Sequence, residues 1–199
     1  SFLNYRGIYG FSNFTSTDVN QLNNGFKLPF IMTITCGTGS FSAETECMTE
    51  SLLRAGTSVN PKGAVAVVGS AQSYTHTAFN NVIAMGMYEG LFIDRVSTAG
   101  ASLVSGQLAL HEIYPQNPNN NAYYFSAWNN LMGDPSTKIW TAEPENLVVD
   151  HLGSINQGSN SFSVTVFGSD GLPYKDADVT IYKRSGSNIE LQETSLTNG

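Results

Sequence analysis

Apolar positions along this chain follow two rhythms, and the change between them falls near residue 143. Before it, short continuous apolar runs alternate with longer segments of helical period. The run Phe30-Ile31-Met32-Thr33-Ile34-Thr35 is rich in β-branched residues and predicts a strand over 30–35 buried on both faces, as in a parallel sheet. A second run over 63–70, entered through Asn60-Pro61-Lys62, predicts another such strand. Between them, 44–54 reads as a helix with its acids in the first turns and Arg54 in the last, the arrangement the helix dipole favours. Phe79, Val82, Ile83, Gly86, Met87, Gly90 and Leu91 recur at helical spacing, which predicts that Met85, Met87 and the aromatics there are core rather than a cofactor site. Further helices are predicted over about 99–114 and 122–131, separated by a Pro/Asn-rich loop at 115–121. Short strands are expected at 2–5 and 138–141, a capped short helix at 15–22, and a tight Gly133-Asp134-Pro135 turn in which Asp134 is structural.

Beyond Ala142-Glu143-Pro144-Glu145 the period becomes two, over 146–150, 161–167, 177–182 and 189–193, with turn chemistry at 169–173 and 185–188. The expected architecture is therefore an α/β domain over 1–143, a parallel sheet flanked by helices, followed by a smaller all-β domain over 144–199. A chain of 199 residues with 41% apolar content has room for both. It opens at Ser1 with neither an initiator Met nor a signal-type segment and closes at Gly199 within strand-rich text, so it is expected to be a piece of a longer protein, with the β module truncated.

Charge narrows the partners. A net charge of −7, with no basic patch to displace counterions, argues against nucleic acid. No apolar run approaches the ~20 residues of a membrane span. Only 13% of residues are charged while Asn, Ser, Thr and Gly abound, a surface that suits a secreted or cell-surface protein. No pair of His and carboxylates stands at ligand spacing, and no cofactor is implied, although Asn/Asp-rich loops of this kind can hold a structural calcium. Two cysteines give no disulfide framework, and both Cys36 and Cys47 are expected to be free.

The candidate chemistry sits where the first long strand ends. Strand, Cys36-Gly37-Thr38-Gly39, then helix puts a thiol at the carboxyl edge of a sheet, where open α/β sheets bind ligands. Exposed backbone N–H groups there can lower a thiol pKa. The alternative is a buried structural cysteine, but such a residue needs no flexible glycines behind it. Cys47, beside Leu52 and Leu53, reads as core. Of three histidines, His151 lies in the β module and His111 within a helix beside Glu112. His76 follows the second buried strand, on the same sheet edge as Cys36 if the strands are parallel. It is either a base for the thiol or a helix-terminal residue or pocket wall.

The text Ile34-Thr35-Cys36-Gly37-Thr38-Gly39-Ser40-Phe41, then Glu46-Cys47-Met48-Thr49-Glu50-Ser51-Leu52-Leu53-Arg54-Ala55, resembles the gingipain-type cysteine peptidases, the C25 family of the caspase-like clan. The likeness continues through 62–70 and Asn130-Leu131-Met132-Gly133-Asp134-Pro135, and covers about residues 1–142. It implies the C-terminal half of a caspase-like domain, a secreted endopeptidase acting on proteins or peptides through the Cys36 thiolate, and an Ig-like module behind it. By the same resemblance the oxyanion donors would be the N–H groups of Cys36 and Gly10, and Tyr74 would stand near the pocket that holds the residue before the scissile bond. One departure matters. The family text reads roughly Asn-Tyr-x-Gly-His-Gly, with the His as catalytic base, whereas this chain has Asn4-Tyr5-Arg6-Gly7-Ile8-Tyr9-Gly10. Three expectations follow: a peptidase with His76 as substitute base, a pseudopeptidase kept as a binding or structural module, or a surface adhesin working through the β module.

Overall fold

The computed structural model describes residues 10–11, 14–159, 161–186 and 188–197. The strand expected at 2–5 and the glycine-flanked Ile8-Tyr9 position lie outside the described residues. The chain divides into two compact units, Ser1–Thr141 and Ala142–Gly199.

The first unit is a mixed α/β fold. A two-residue pair, β1 (Gly10–Phe11) with β2 (Phe14–Thr15), leads into the short α1 (Ser16–Val19). Thr15 and Asp18 cap that helix reciprocally, the Asp18 carboxylate accepting from the Thr15 N–H at 2.7 Å. Next come β3 (Phe30–Thr33), α2 (Met48–Arg54), β4 (Ala66–Ser70), α3 (Thr77–Phe92), α4 (Ala99–Ile113), α5 (Asn121–Trp128) and β5 (Asn129–Met132). The central β4 pairs parallel with β3 and antiparallel with β5, giving the order β3-β4-β5.

Because strand side chains alternate faces, adjacent residues of β4 serve two cores. Val67 points to the layer of Val19, Met48 and Leu52 from α1 and α2. Val68 points to the layer of Ile83, Met87, Leu103, Leu110 and Phe125 from α3, α4 and α5. All five β4 residues are buried, as expected of a strand covered on both faces.

Several expectations change here. The sheet is mixed rather than parallel, and the helix expected to reach residue 131 stops at Trp128. Asn129 and Asn130 are weak helix formers. The Asn129 amide donates to the Phe125 carbonyl at 2.8 Å and closes the helix, while the free edge of β4 takes the next four residues as a strand. The terminal strand expected at 138–141 reduces to an isolated bridge between Thr98 and Lys138. Met85, expected in the core with Met87, lies on the exposed face of α3, because a step of two residues along a helix turns away from the buried position.

Helices α3 and α4 pack through small residues that let their backbones approach. A Cβ on Gly106 would fall 2.5 Å from the Ile83 carbonyl oxygen and 2.7 Å from Met87 Cγ. Gly106→Ala is therefore expected to push the pair apart at a cost of about 1–3 kcal/mol. Urea unfolding checks this, and an unchanged midpoint would mean the helices have slack that the packing denies.

The second unit contains β6 (Val148–His151) paired antiparallel with β7 (Val164–Phe167), and β8 (Asp178–Ser185) paired antiparallel with β9 (Asn188–Leu196). Among its described residues, Val166 and Ala177 are the buried apolar ones.

Candidate active site

Strand β3 ends at Thr33, and the chain turns across the carboxyl end of β4 instead of continuing to 35. The turn is stitched down by its own backbone. The N–H of Gly37 donates to the Gln72 carbonyl at 2.9 Å, and that of Gly39 to the Ser70 carbonyl at 2.9 Å. Gly37 adopts φ +71, a conformation that favours glycine. Thr38 is fully buried, its hydroxyl donating to the Thr33 carbonyl at 2.6 Å. The Ser40 hydroxyl donates to the Ala71 carbonyl at 2.8 Å. The glycines are thus places of close approach rather than flexible residues, and the turn carrying Cys36 is held by these four hydrogen bonds to β3, β4 and the loop after β4.

Cys36 is partly exposed and lines a pocket of about 880 Å³. The loop after β4 supplies Tyr74, Thr75 and His76 to its wall, α3 supplies Phe79 and Asn80, and α5 supplies Asn121, Phe125 and Trp128. Cys36 Sγ lies 3.0 Å from Thr75 Oγ1, and Thr75 Oγ1 accepts from Asn80 Nδ2 at 2.9 Å. Burial pushes the Cys36 thiol up, but hydrogen bonds from the Thr75 hydroxyl and backbone, its own backbone N–H and Thr35 together hold it below the ordinary thiol value. The Cys36 backbone N–H has no carbonyl acceptor among the described residues.

Cys47 has the opposite environment. It is fully buried at the N-cap of α2, with its N–H donating to the Glu50 carboxylate at 3.0 Å, and burial pushes its thiol up. Neither cysteine forms a disulfide.

The sequence profile of Peptidase family C25 matches residues 1–140, more than two thirds of the chain. The chain belongs to peptidase family C25. Gingipain R2 of Porphyromonas gingivalis is 28% identical over 176 residues, which is 82% of this chain and 23% of that protein. Gingipain R1 of the same species is 28% identical over 177 residues, 83% of this chain and 17% of that protein. This chain therefore spans about a quarter or less of the relatives it matches. In structure, the Arg-specific cysteine proteinase gingipain R superposes with a TM-score of 0.76 at 24% identity, over 98% of this chain and 43% of that one. The complex of P. gingivalis RgpB pro- and mature domains gives 0.75 at 25% identity, over 98% and 45%.

In this C25 chain the pocket gathers three of the four residues singled out in the sequence: Cys36, Tyr74 and His76. Tyr74 stands at the mouth, 90% exposed. Gly10 lies in β1, in register with Thr15, and is not among the described lining residues. His76 is the N-cap of α3. Its Nδ1 accepts from the Ala78 N–H at 3.1 Å, and its ring meets Phe79 edge-on at 5.8 Å. A neutral imidazole accepting at Nδ1 carries its proton on Nε2, so in this tautomer the accepting nitrogen is engaged by its own helix. Thr75, not the imidazole, is the hydrogen-bond partner of the sulfur among the described residues. His111 is exposed in the last turn of α4, and His151 Nδ1 lies 2.9 Å from the Leu152 carbonyl. Asp134 accepts from the N–H and hydroxyl of Ser136 at 2.8 and 2.7 Å, which stabilises its turn and lowers its pKa.

Sequence reading missed the polar pair Thr75 and Asn80 and the α5 wall. Asn121, Phe125 and Trp128 share one helix face at i, i+4 and i+7, a signal that was present but equally expected of core. Among the described residues no three His, Cys, Asp or Glu side chains gather as a metal site, and no described helix is long and apolar enough to cross a membrane.

Proposed function

We propose that the first unit is a cysteine-peptidase site acting on proteins or peptides, with Cys36 as nucleophile. The observation that carries this is the Cys36 sulfur, partly exposed in a pocket and held by Thr75 so that its thiolate is favoured. The thiolate attacks the peptide carbonyl carbon, and the oxygen's negative charge falls to the N–H of Cys36, with Gly10 as its partner by resemblance. The C–N bond then breaks, the amine leaves with a proton, and water hydrolyses the thioester to restore the thiol. Tyr74 is assigned to substrate contact at the mouth. His76 is assigned as the base that moves the proton, which requires it to give up its cap on Ala78 and turn its freed nitrogen to the thiol. The sparsely charged, Asn/Ser/Thr-rich composition supports action outside the cell.

A second reading rests on specific observations. Ile8 and Tyr9 occupy the family's His position, and His76 is engaged at Nδ1. Neither Ile nor Tyr can take a proton from a thiol near neutral pH, because Tyr titrates near ~10. In that reading the unit is a pseudopeptidase whose pocket binds peptide without cutting it. Residues 144–199 are assigned as an Ig-like module, supported by their two antiparallel pairs, with adhesion as the work it would do.

Digestion of a denatured protein substrate separates these readings. Hydrolysis that vanishes in Cys36→Ala and falls by about 10²-fold or more in His76→Ala fits nucleophile and base. Hydrolysis that survives Cys36→Ala overturns the nucleophile. A wild-type protein that binds peptide but leaves it intact establishes the pseudopeptidase.

A further inference from the structure

We infer that Thr75 and Asn80 form a hydrogen-bond relay that turns the Thr75 hydroxyl proton onto Cys36 Sγ and so stabilises the thiolate without a histidine. The inference rests on Cys36 being the nucleophile, and it names two positioning residues for that chemistry.

A threonine hydroxyl has one proton to give and lone pairs to receive. Oγ1 of Thr75 sits between two neighbours, Asn80 Nδ2 at 2.9 Å and Cys36 Sγ at 3.0 Å. An amide NH₂ can only donate, so Thr75 accepts from Asn80, which leaves its own proton available for the sulfur. Donation to a charged acceptor is roughly twice as strong as donation to a neutral one, so this order favours the thiolate over the thiol.

Asn80 is itself fixed. Asn80 is 6% exposed on the first turn of α3, where its N–H donates to the His76 carbonyl at 3.2 Å. Its Oδ1 is buried with no hydrogen-bond partner among the described residues, so the side chain is placed with its donor on Thr75 at the expense of its acceptor. Reversing the amide would make Thr75 donate to Oδ1 and accept from the thiol S–H, which would favour the protonated sulfur. The two orders thus predict opposite signs for loss of the Thr75 hydroxyl.

Other groups facing the sulfur are few. Among the described lining residues the titratable side chains besides Cys36 are Tyr74 and His76, both from the loop after β4, and no Asp, Glu, Lys or Arg lines the pocket. Residues contributed by α5 carry no titratable group.

The test is the pH profile of Cys36 alkylation by iodoacetamide in the full chain, read by peptide mass so that buried Cys47 is counted separately. The quantity compared is the rate at pH 6 divided by the plateau rate at high pH, which cancels differences in intrinsic nucleophilicity between thiols. Thr75→Val is expected to lower this ratio about tenfold. Asn80→Leu, which releases the hydroxyl's orientation, is expected to lower it by a smaller factor, and Asn80→Asp, whose carboxylate takes the Thr75 proton, by a larger one. Thr75→Ser is expected to keep the wild-type ratio. Because Ser and Ala differ there by one oxygen, Thr75→Ser against Thr75→Ala carries the test if valine does not fold. Repeated in a His76→Ala background, the Thr75-dependent fall is expected to persist.

A ratio that is unchanged in Thr75→Val and Thr75→Ala overturns the relay. A ratio that rises shows the reverse order, with the thiol donating, and overturns it equally. If the wild-type profile is already that of an ordinary thiol, the nucleophile assignment fails and takes the relay with it. A wild-type profile shifted to low pH but indifferent to Thr75 removes the relay alone.

Discussion

Phe125→Ala is expected to lose about 3–5 kcal/mol of stability, the range for removing a large aromatic from a packed core. The side chain is 3% exposed and packs between Phe79 and Trp128, at ring separations of 4.8 and 5.1 Å. It belongs to the core layer built on Val68, Ile83, Met87 and Leu110, so the vacated space cannot be filled from solvent-facing side chains. Set against the ~5–15 kcal/mol that holds a typical domain together, this is a large fraction of the whole. Phe125 also forms a wall of the Cys36 pocket, so the same change is expected to weaken binding of any peptide that fills it. Urea unfolding followed by far-UV circular dichroism measures the first effect. A shift below 1 kcal/mol would mean that α5 collapses onto β4 and that the pocket has no rigid wall.

Gly39→Ala is the second large effect, and it joins stability to the site. A Cβ at this position would lie 2.8 Å from both the carbonyl carbon and the carbonyl oxygen of Gly69. Those atoms belong to the central strand, which cannot yield without breaking its pairing to β3 and β5. The turn must lift instead, and the bond from the Gly39 N–H to the Ser70 carbonyl goes with it. Strain of this kind typically costs ~1–3 kcal/mol. Cys36 lies three residues away on the same turn, so its contact with Thr75 is expected to open and its alkylation profile to move toward that of an ordinary thiol. The sign follows from the cause. Burial raises the thiol pKa and the Thr75 bonds lower it, so losing those bonds moves it up and reduces reaction at acid pH first. A variant that melts early yet alkylates at pH 6 like the wild type would separate the turn from the thiol's environment.

The histidine question shows how far a motif carries. Placing His76 on the sheet edge beside Cys36 needed only the order of elements, strand then loop then helix. What the imidazole does there depends on which nitrogen is occupied, and that is decided by a backbone N–H two residues along the helix it caps. Thr75 escaped notice for a related reason. A threonine between a tyrosine and a histidine carries no spacing signal, and its value arises from two neighbours distant in the chain, 39 residues away at Cys36 and five at Asn80.

Features written in local patterning follow from the amino-acid order alone. The β-branched runs made strands near 30 and 66, the helical spacing made α3 and α4, and strand-Cys-Gly put a thiol at a strand end. Its motifs also carried the C25 membership that the profile match shows. These depend on neighbours within one or two turns of chain, where steric preference and hydrophobic period act directly. The rest exists only once the chain has folded. Residues 129–132 are a strand because β4 offered an unpaired edge, which no local propensity encodes. Gly39 is a contact rather than a hinge because Gly69 lies against it. The sulfur's state likewise follows from Thr75 and Asn80, brought together by folding, since a hydrogen bond spanning 39 residues exists only once the backbone has already placed both its ends.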